Sequence, residues 1–326
     1  MRLSLAYSTS PEALDADEAA QHLNSACAFY SRPSSLSRHV QCFMPQGNAD
    51  VQFVLHPFLT DEQKTETDLT PSAHELIVSK ALEAFQHTSL EKVVVSRTKK
   101  VIAEKTLAEW VIVYKKLCAN YPHATVFMFN TGSELWLGAT PELLVAKAGD
   151  QCLTTALAGT QPFTEGASLS EVHWGEKEKR EQQLVTDFIL DKLKEANADV
   201  FDTNGPHTVP AGQVVHLKTN IIFKSDLPAS EMAAMLHPTP AVCGMPRTEA
   251  LQFIAMHEPH HRSFYTGYMG VEHAAGDDEY WVILRCLRVR GSEVTLFAGG
   301  GIVPGSVAAA EWHETENKMQ VMQRFL

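Results

Sequence analysis

The sequence predicts an α+β fold in which two large antiparallel β-sheets pack face to face and helices flank them. From Lys92 onward, short β-branched runs alternate with turn signals, a pattern typical of antiparallel strands. Two segments instead repeat apolar residues every three or four positions, which is the period of a helix. Because strands dominate and helices flank them, the predicted class is α+β with large sheets packed face to face.

The first 90 residues carry the weakest signals: a short apolar run at residues 51–58 and one predicted helix at residues 71–85. No stretch rich in Pro, Gly or Ser divides the chain. With 326 residues and 44% hydrophobic content, the chain can bury a large core. We therefore expect a single domain over residues 1–326, in which residues 1–90 are the less characteristic part and residues 91–326 carry the site.

The predicted strands follow in order, each as a short apolar or β-branched run. They cover residues 93–95, 124–129, 135–139, 143–146, 214–217, 221–223, 280–289 and 294–298. A turn signal at residues 290–293 separates the last two strands.

The helix predicted over residues 177–198 places carboxylates near its buried face. Glu181 lies three and four positions before Leu184 and Val185 of the apolar stripe, so it sits one turn up from that stripe rather than on the opposite face. Glu178 lies one further turn up. Each Glu alone is more often solvated than a ligand.

The helix predicted over residues 308–326 repeats this arrangement, because Glu311, Glu314 and Lys318 share one face. Glu314 with Lys318 is also an ordinary helix-surface pair. Two helices that each carry a Glu pair, without an accompanying His/Cys cluster, fit a hard cation better than zinc. Mg²⁺ prefers such oxygen ligands.

Two features of the last third suggest anion binding. Arg285 stands within an apolar run, where a charge needs a partner; a bound carboxylate fits its guanidinium, and a structural Asp or Glu is the alternative. The glycines of residues 299–301 let backbone N–H groups approach an anion or form a tight turn. His257, His260 and His261 are interpreted as a polar loop, because Pro259 interrupts any helical pair of ligands.

Composition excludes several classes of protein. A net charge of −12 argues against a nucleic-acid binder, which needs clustered Lys and Arg. Residues 1–10 contain no long apolar run, so neither a signal peptide nor a membrane span is predicted, and a cytoplasmic location is expected. The six cysteines form no C-x-x-C pair and are expected to be reduced core residues.

Nine segments resemble the chorismate-utilising enzymes, the family of isochorismate synthases, salicylate synthases and the large subunits of anthranilate and aminodeoxychorismate synthases. They lie in family order at residues 91–97, 137–143, 158–160, 177–181, 236–242, 264–267, 284–286, 298–301 and 311–318. The resemblance implies the same α+β fold of two packed antiparallel sheets.

The resemblance also implies the site. Glu181 and Glu314, with Glu178 and Glu311 nearby, would hold Mg²⁺, and the Mg²⁺ would bind the ring carboxylate of chorismate. The residues expected to bind substrate or line its pocket are Gly159, Thr160, His237, Tyr265, Arg285, Gly299 and Lys318.

Lys92 separates the subfamilies that this resemblance covers. Relatives that use ammonia usually carry Gln at this position, whereas those that use water carry Lys, so an isochorismate synthase is expected and no glutaminase subunit is required. Water would attack C2 of the ring as the C4 hydroxyl leaves, with neutral Lys92 as base and protonated Glu142 as acid. Burial lowers the pKa of a Lys and raises that of a Glu, as these roles require.

Several alternatives stay open at this stage. A salicylate synthase shares Lys92 and Glu142, although residues 237–241 look more like the synthases that stop at isochorismate. An amine-transferring synthase and a catalytically inactive chorismate-binding module are further alternatives. Gln182 stands where many relatives have His, and Glu178 where many have Asp. Both menaquinone and catechol-siderophore pathways could receive the product, and the oligomeric state is not determined.

Overall fold

The computed structural model describes residues 2–5, 7–8, 15–23, 27–31, 42–43, 51–58, 64, 66–163, 168–211, 214–274 and 276–326. Its strands form two antiparallel sheets with helices packed against them, which confirms the predicted α+β class. A division into domains is not tested by the fold, so the single domain stays a prediction.

Among the described residues, sheet A contains eight strands. In spatial order they are β11 (Asp199–Ala211), β12 (Val214–Lys224), β10 (Gln151–Pro162), β9 (Leu143–Ala148), β15 (Asp278–Val282), β14 (Tyr268–His273), β5 (Val51–His56) and β1 (Arg2–Leu5). All of these neighbours are antiparallel. Two helices, α4 (Glu176–Glu195) and α5 (Ala229–Leu236), pack on the sheet.

Sheet B is built around one long strand pair. Its order is β13 (Gly244–Met245), β6 (Lys92–Ile102), β17 (Glu293–Ile302), β16 (Cys286–Arg290), β8 (Leu135–Thr140), β7 (Thr125–Asn130) and β3 (Cys27–Ser31), with β4 (Cys42–Phe43) and β2 (Tyr7–Ser8) beyond. The second half of β1 pairs with β3 in parallel, so β1 joins both sheets.

The remaining helices contact sheet B or one another. They are α1 (Ala16–Leu23), α2 (Pro71–His87), α3 (Leu107–Asn120), α6 (Arg247–His257) and α7 (Ala308–Gln323). Among the helices that the structure describes, none is long and apolar enough to span a membrane.

An aromatic core fills the space between the sheets. Trp136 stacks on Phe129 and Phe297, and Phe264 packs edge-on against Trp136. Tyr265 continues this stack, because its ring lies 5.4 Å from that of Phe297. Offset and edge-on contacts are the favoured arrangements of aromatic rings, so the core fixes Tyr265 at the edge of the site.

The predicted helices agree closely with α2, α4 and α7, but three strand predictions differ. The runs at residues 214–217 and 221–223 belong to one strand, β12. The run at residues 280–289 is two strands, β15 and β16. Arg285 therefore lies in the break between strands, with a left-handed φ of 48°. Residues 299–301 continue β17 and pair with β6 instead of forming a turn.

Candidate active site

One cavity brings together most of the predicted site residues. Those that line it are Glu142, Gly159, Thr160, Glu181, Tyr265, Arg285, Gly299, Glu314 and Lys318. It encloses about 660 Å³ of space, part of it open to solvent. Helix α4, which packs on sheet A, contributes Glu181 to the cavity, and helix α7, which packs on sheet B, contributes Glu314.

Lys92, in the first position of β6, lies behind the cavity wall with its side chain fully buried. Its Nζ donates a hydrogen bond of 2.8 Å to Oε1 of Glu181. Gly301 on the paired strand makes room for this contact, because a Cβ there would lie 2.6 Å from Glu181 Oε1 and 3.2 Å from Lys92 Cε. The backbone N–H of Gly159 also donates to Glu181, over 3.3 Å.

Glu142 lies in the tight connection between β8 and β9 and is 5% exposed. Burial raises the pKa of its carboxyl to about 7, although the positive charge of Lys92 opposes this rise. The Thr239 hydroxyl donates to its Oε1 over 3.5 Å. A carboxyl with this pKa is substantially protonated at neutral pH, which is the state a general acid needs.

Glu181 is the opposite case, because it is held as a carboxylate. Burial alone would raise its pKa, but the charges of Lys92, Lys318 and Lys177 outweigh that effect and lower the pKa. Two carboxyl groups in one cavity thus favour different protonation states, an arrangement typical of acid–base sites.

The acids on α7 are also paired with lysines. Lys318 Nζ lies 2.6 Å from Glu314 and donates to the backbone oxygen of Gly299 over 2.7 Å. Lys177 Nζ, on α4, lies 2.9 Å from Oε1 of Glu311. Burial and the charge of Glu314 raise the pKa of Glu311, whereas Lys177 and the Ser306 hydroxyl oppose this. Glu311 itself is behind the cavity lining.

These carboxylates fit a hard cation by their chemistry. Glu181, Glu311 and Glu314 offer only oxygen donors, as Mg²⁺ prefers, and Oε2 of Glu311 is buried without a hydrogen-bond partner in the described part of the chain. Among the described residues, no three His, Cys, Asp or Glu side chains already form a close metal-ligand group. Lysine ammonium groups supply the counter-charge instead. Glu178 does not line the cavity.

His216, on β12, lines the cavity and was missed by sequence reasoning. Its Nδ1 donates to the backbone oxygen of Gly159 over 2.9 Å, and its Nε2 lies 3.1 Å from the Arg285 guanidinium. Burial and the charge of Arg285 lower the pKa of His216 to about 3, so the ring is neutral and Nε2 accepts from Arg285. A polar residue within the apolar run of residues 214–217 was the available signal.

Arg285 has no ion pair with a carboxylate among the described residues, and its guanidinium instead donates a hydrogen bond to His216. The predicted alternative of a structural Asp or Glu partner is thus not what the described residues show. Nearby, burial raises the pKa of the Tyr265 hydroxyl far above its ordinary value, so it remains a neutral donor. Both groups face the cavity, where an anion would meet them.

His237 was predicted to line the pocket, and the structure places it next to Thr266 of the cavity lining. Its Nε2 bonds to the backbone oxygen of Thr266 over 2.7 Å, and its ring packs against Tyr268. It is not among the residues that line the cavity. His237 thus supports the segment that carries Tyr265, while His216 occupies the cavity wall.

A buried ion pair holds the same segment from the other side. Arg262 pairs with both oxygens of Glu258, at 2.8 and 2.6 Å, and donates to the backbone oxygen of Val94 on β6. His260, interpreted from the sequence as part of a polar loop, is instead buried and lies 2.9 Å from the Ser96 hydroxyl. These bonds tie the Tyr265 segment to the strand that carries Lys92.

The amino-acid sequence is also similar to proteins of known family. Residues 24–326 match the family described as "Chorismate binding enzyme". The chain is 33% identical over 254 residues to the vibriobactin-specific isochorismate synthase of Vibrio cholerae serotype O1, covering 75% of this chain and 64% of that protein. It is 31% identical over 255 residues to the isochorismate synthase EntC of Escherichia coli K12, covering 76% and 65%.

A crystal structure described as a putative 2,3-dihydroxybenzoate-specific isochorismate synthase, DhbC, from Bacillus anthracis is also similar. It superimposes with a TM-score of 0.73 at 25% identity, over 99% of this chain and 91% of that one. The chain spans slightly less than two thirds of the length of the two curated relatives.

Proposed function

Because the chain belongs to the family of chorismate-binding enzymes, we propose that it converts chorismate to isochorismate in a Mg²⁺-dependent reaction. The observation that carries the proposal is the pairing of a buried amine with a buried acid at one cavity. Lys92 lies against Glu181 at the cavity wall, and Glu142 faces the cavity with a pKa of about 7. Such a pair can take one proton and give another in the same turnover.

In the proposed reaction, Lys92 accepts a proton from the water that bonds to C2 of the ring. Glu142 gives its proton to the C4 hydroxyl, whose bond to carbon breaks as the ring double bonds shift, so that water leaves. The base role requires the neutral amine; Lys92 therefore has to give up its ion pair with Glu181 before it deprotonates water. The Lys at position 92 also favours water over ammonia as the nucleophile, without a glutaminase subunit.

The anionic ring would be held by groups from four segments of the chain. Arg285 and the Tyr265 hydroxyl would bind one carboxylate, and Lys318 with the backbone at Gly299 would contribute on the α7 side. A guanidinium fork suits a carboxylate in a bidentate way. His216 keeps Arg285 in place, since its Nε2 accepts from the guanidinium.

Glu181 and Glu314 would hold Mg²⁺, with Glu311 close behind. The support is their oxygen-only donor set, the buried Glu311 oxygen without a partner among the described residues, and the room left at Gly301. When bound, Mg²⁺ would offset the charge of the ring carboxylate and orient the substrate.

The proposal is tested by incubating the purified protein with chorismate and Mg²⁺ and identifying the products by NMR. Isochorismate in equilibrium with chorismate is expected. Pyruvate that keeps pace with chorismate loss, detected with lactate dehydrogenase, would instead indicate a salicylate synthase. An aminated product formed only with ammonium salts would indicate an amine-transferring synthase. Tight Mg²⁺-dependent binding of chorismate without turnover would indicate a binding module.

A further inference from the structure

We propose that Lys177 is an internal counter-cation, which occupies the acidic cluster when no metal is bound and so sets how tightly the chain binds Mg²⁺. The acidic cluster is defined as Glu181, Glu311 and Glu314. This inference rests on the Mg²⁺ site of the proposed function. Lys177 has no role in the binding or chemistry described above.

The position of Lys177 places its ammonium group against one acid of the cluster. It lies one helical turn before Glu181 on α4, and its Nζ reaches across to Glu311 on α7 over 2.9 Å. Although burial would lower the pKa of its ammonium group, the charges of Glu311, Glu314 and Glu181 raise that pKa. Lys177 thus contacts Glu311 directly and interacts with the other two carboxylates through their charge.

Glu311 needs such a counter-charge. Its side chain is 2% exposed, and of its two oxygens one is bound by Lys177 and the other has no hydrogen-bond partner among the described residues. A buried carboxylate without compensating charge is strongly unfavourable. Lys177 therefore stabilises the metal-free cluster by supplying a positive charge that a divalent cation would otherwise supply.

Among the described lysines that pair with the cluster, Lys177 has the most exposed side chain. Its side chain is 38% exposed, compared with 0% for Lys92 and 15% for Lys318. A cation that binds Oε1 of Glu311 has to displace the Lys177 ammonium group from that oxygen. Lys177 can swing outward along its flexible stem, so cation binding competes with the Lys177–Glu311 pair.

The test is Mg²⁺ binding measured by isothermal titration calorimetry without chorismate. Lys177→Met removes the competing ammonium group, so Mg²⁺ is expected to bind roughly threefold more tightly or better, the scale of a modest ion pair. Lys179→Met is the matched control: it is two residues away on α4 and pairs with Glu176 on the exposed surface. Its Mg²⁺ affinity should equal that of the unmodified protein.

Two further variants separate competition from a general structural effect. Lys177→Gln keeps a polar side chain and covers the case in which Lys177→Met does not fold, as judged by circular dichroism and thermal unfolding. In a Glu311→Gln background, Lys177→Met should change the Mg²⁺ affinity little, because the pair is already broken. If Lys177→Met still raises the Mg²⁺ affinity by the full amount when combined with Glu311→Gln, the effect of Lys177 does not act through Glu311 and the inference is overturned.

The outcomes also separate this inference from the proposed function. Unchanged or weaker Mg²⁺ binding in folded Lys177 variants would overturn the inference, while chorismate turnover by the unmodified protein would leave the proposed reaction standing. If neither the unmodified protein nor any variant takes up Mg²⁺ in the titration, the proposed metal site is wrong and the inference falls with it.

Discussion

Lys92 Nζ lies 2.8 Å from Glu181 Oε1, which joins a strand of sheet B to a helix packed on sheet A. The residue proposed as base and a residue proposed as metal ligand therefore form one electrostatic unit across the interface between the sheets. The Lys92 side chain is fully buried, so its contact with Glu181 is shielded from solvent.

Replacing the proposed base should abolish the reaction without unfolding the protein. In Lys92→Gln the amide cannot accept a proton from water, so the rate of isochorismate formation should fall by roughly 10²- to 10⁴-fold. Initial rates measured by NMR check this, with circular dichroism as the test of folding. Lys99→Gln, on the same strand but partly exposed and paired with Glu316, should keep nearly full activity. Full activity in Lys92→Gln would refute the assigned base.

The pKa of Glu142, raised to about 7 by burial, predicts the direction of the pH dependence. The acid role needs the protonated form, which is lost as pH rises through the pKa. We therefore expect kcat/KM to fall as pH rises through about 7. In Glu142→Gln, kcat/KM should be much lower and should no longer fall as pH rises through about 7. A profile of kcat/KM against pH for both proteins provides the test, and an unchanged limb in the variant would exclude Glu142 as its source.

His216 is expected to position Arg285 rather than to react. His216→Phe keeps an aromatic ring but removes the ring nitrogens, including Nε2, which accepts a hydrogen bond from Arg285. The KM for chorismate should rise about tenfold or more, the scale of a hydrogen bond to a charged group, with a smaller change in kcat. His207→Phe, on the exposed neighbouring strand β11, is the control. A loss confined to kcat would contradict a positioning role.

Two Gly→Ala substitutions should separate activity from stability. In Gly301→Ala the new Cβ would lie 2.6 Å from a Glu181 carboxylate oxygen, so the carboxylate must shift and turnover should drop sharply. In Gly138→Ala the Cβ would meet the Phe127 ring at 2.5 Å within the core. Overpacking there should cost about 1–3 kcal/mol in the free energy of unfolding. Denaturant titrations and turnover assays of both variants test this prediction. A loss of stability without a loss of turnover in Gly301→Ala, or the opposite in Gly138→Ala, would contradict it.

The sequence was sufficient to predict much of the fold, because β-branched runs and helical periodicity are local signals. The helix spacing of Glu181, Glu311 and Glu314 also indicated acids near the core. Spacing along α7 also indicated the pair of Glu314 with Lys318. It could not reveal that Glu181 meets Lys92 or that Glu311 meets Lys177, because these partners lie on different elements. Contacts between elements far apart in sequence depend on how the sheets pack, which periodicity does not encode.

The differences around Arg285 have the same cause. Residues 283–285 are as apolar on average as a strand, so nothing local marks the break or the left-handed φ of Arg285. His216 lines the cavity because β12 lies beside that break, whereas His237 bonds to the backbone of Thr266. The sequence alone does not show where β12 lies. Likewise, the proline between Glu258 and His260 indicated a polar loop but not its burial, which comes from contacts of these side chains with Arg262 and Ser96.

The central claim is that water attacks the ring of chorismate in this cavity with Lys92 as base. The most direct measurement is turnover of chorismate in H₂¹⁸O with Mg²⁺, followed by mass spectrometry and NMR of the product. The account predicts isochorismate with one ¹⁸O atom in the C2 hydroxyl, formed by the unmodified protein and not by Lys92→Gln. Isochorismate without ¹⁸O at C2, or labelled product formed equally well by Lys92→Gln, would contradict it.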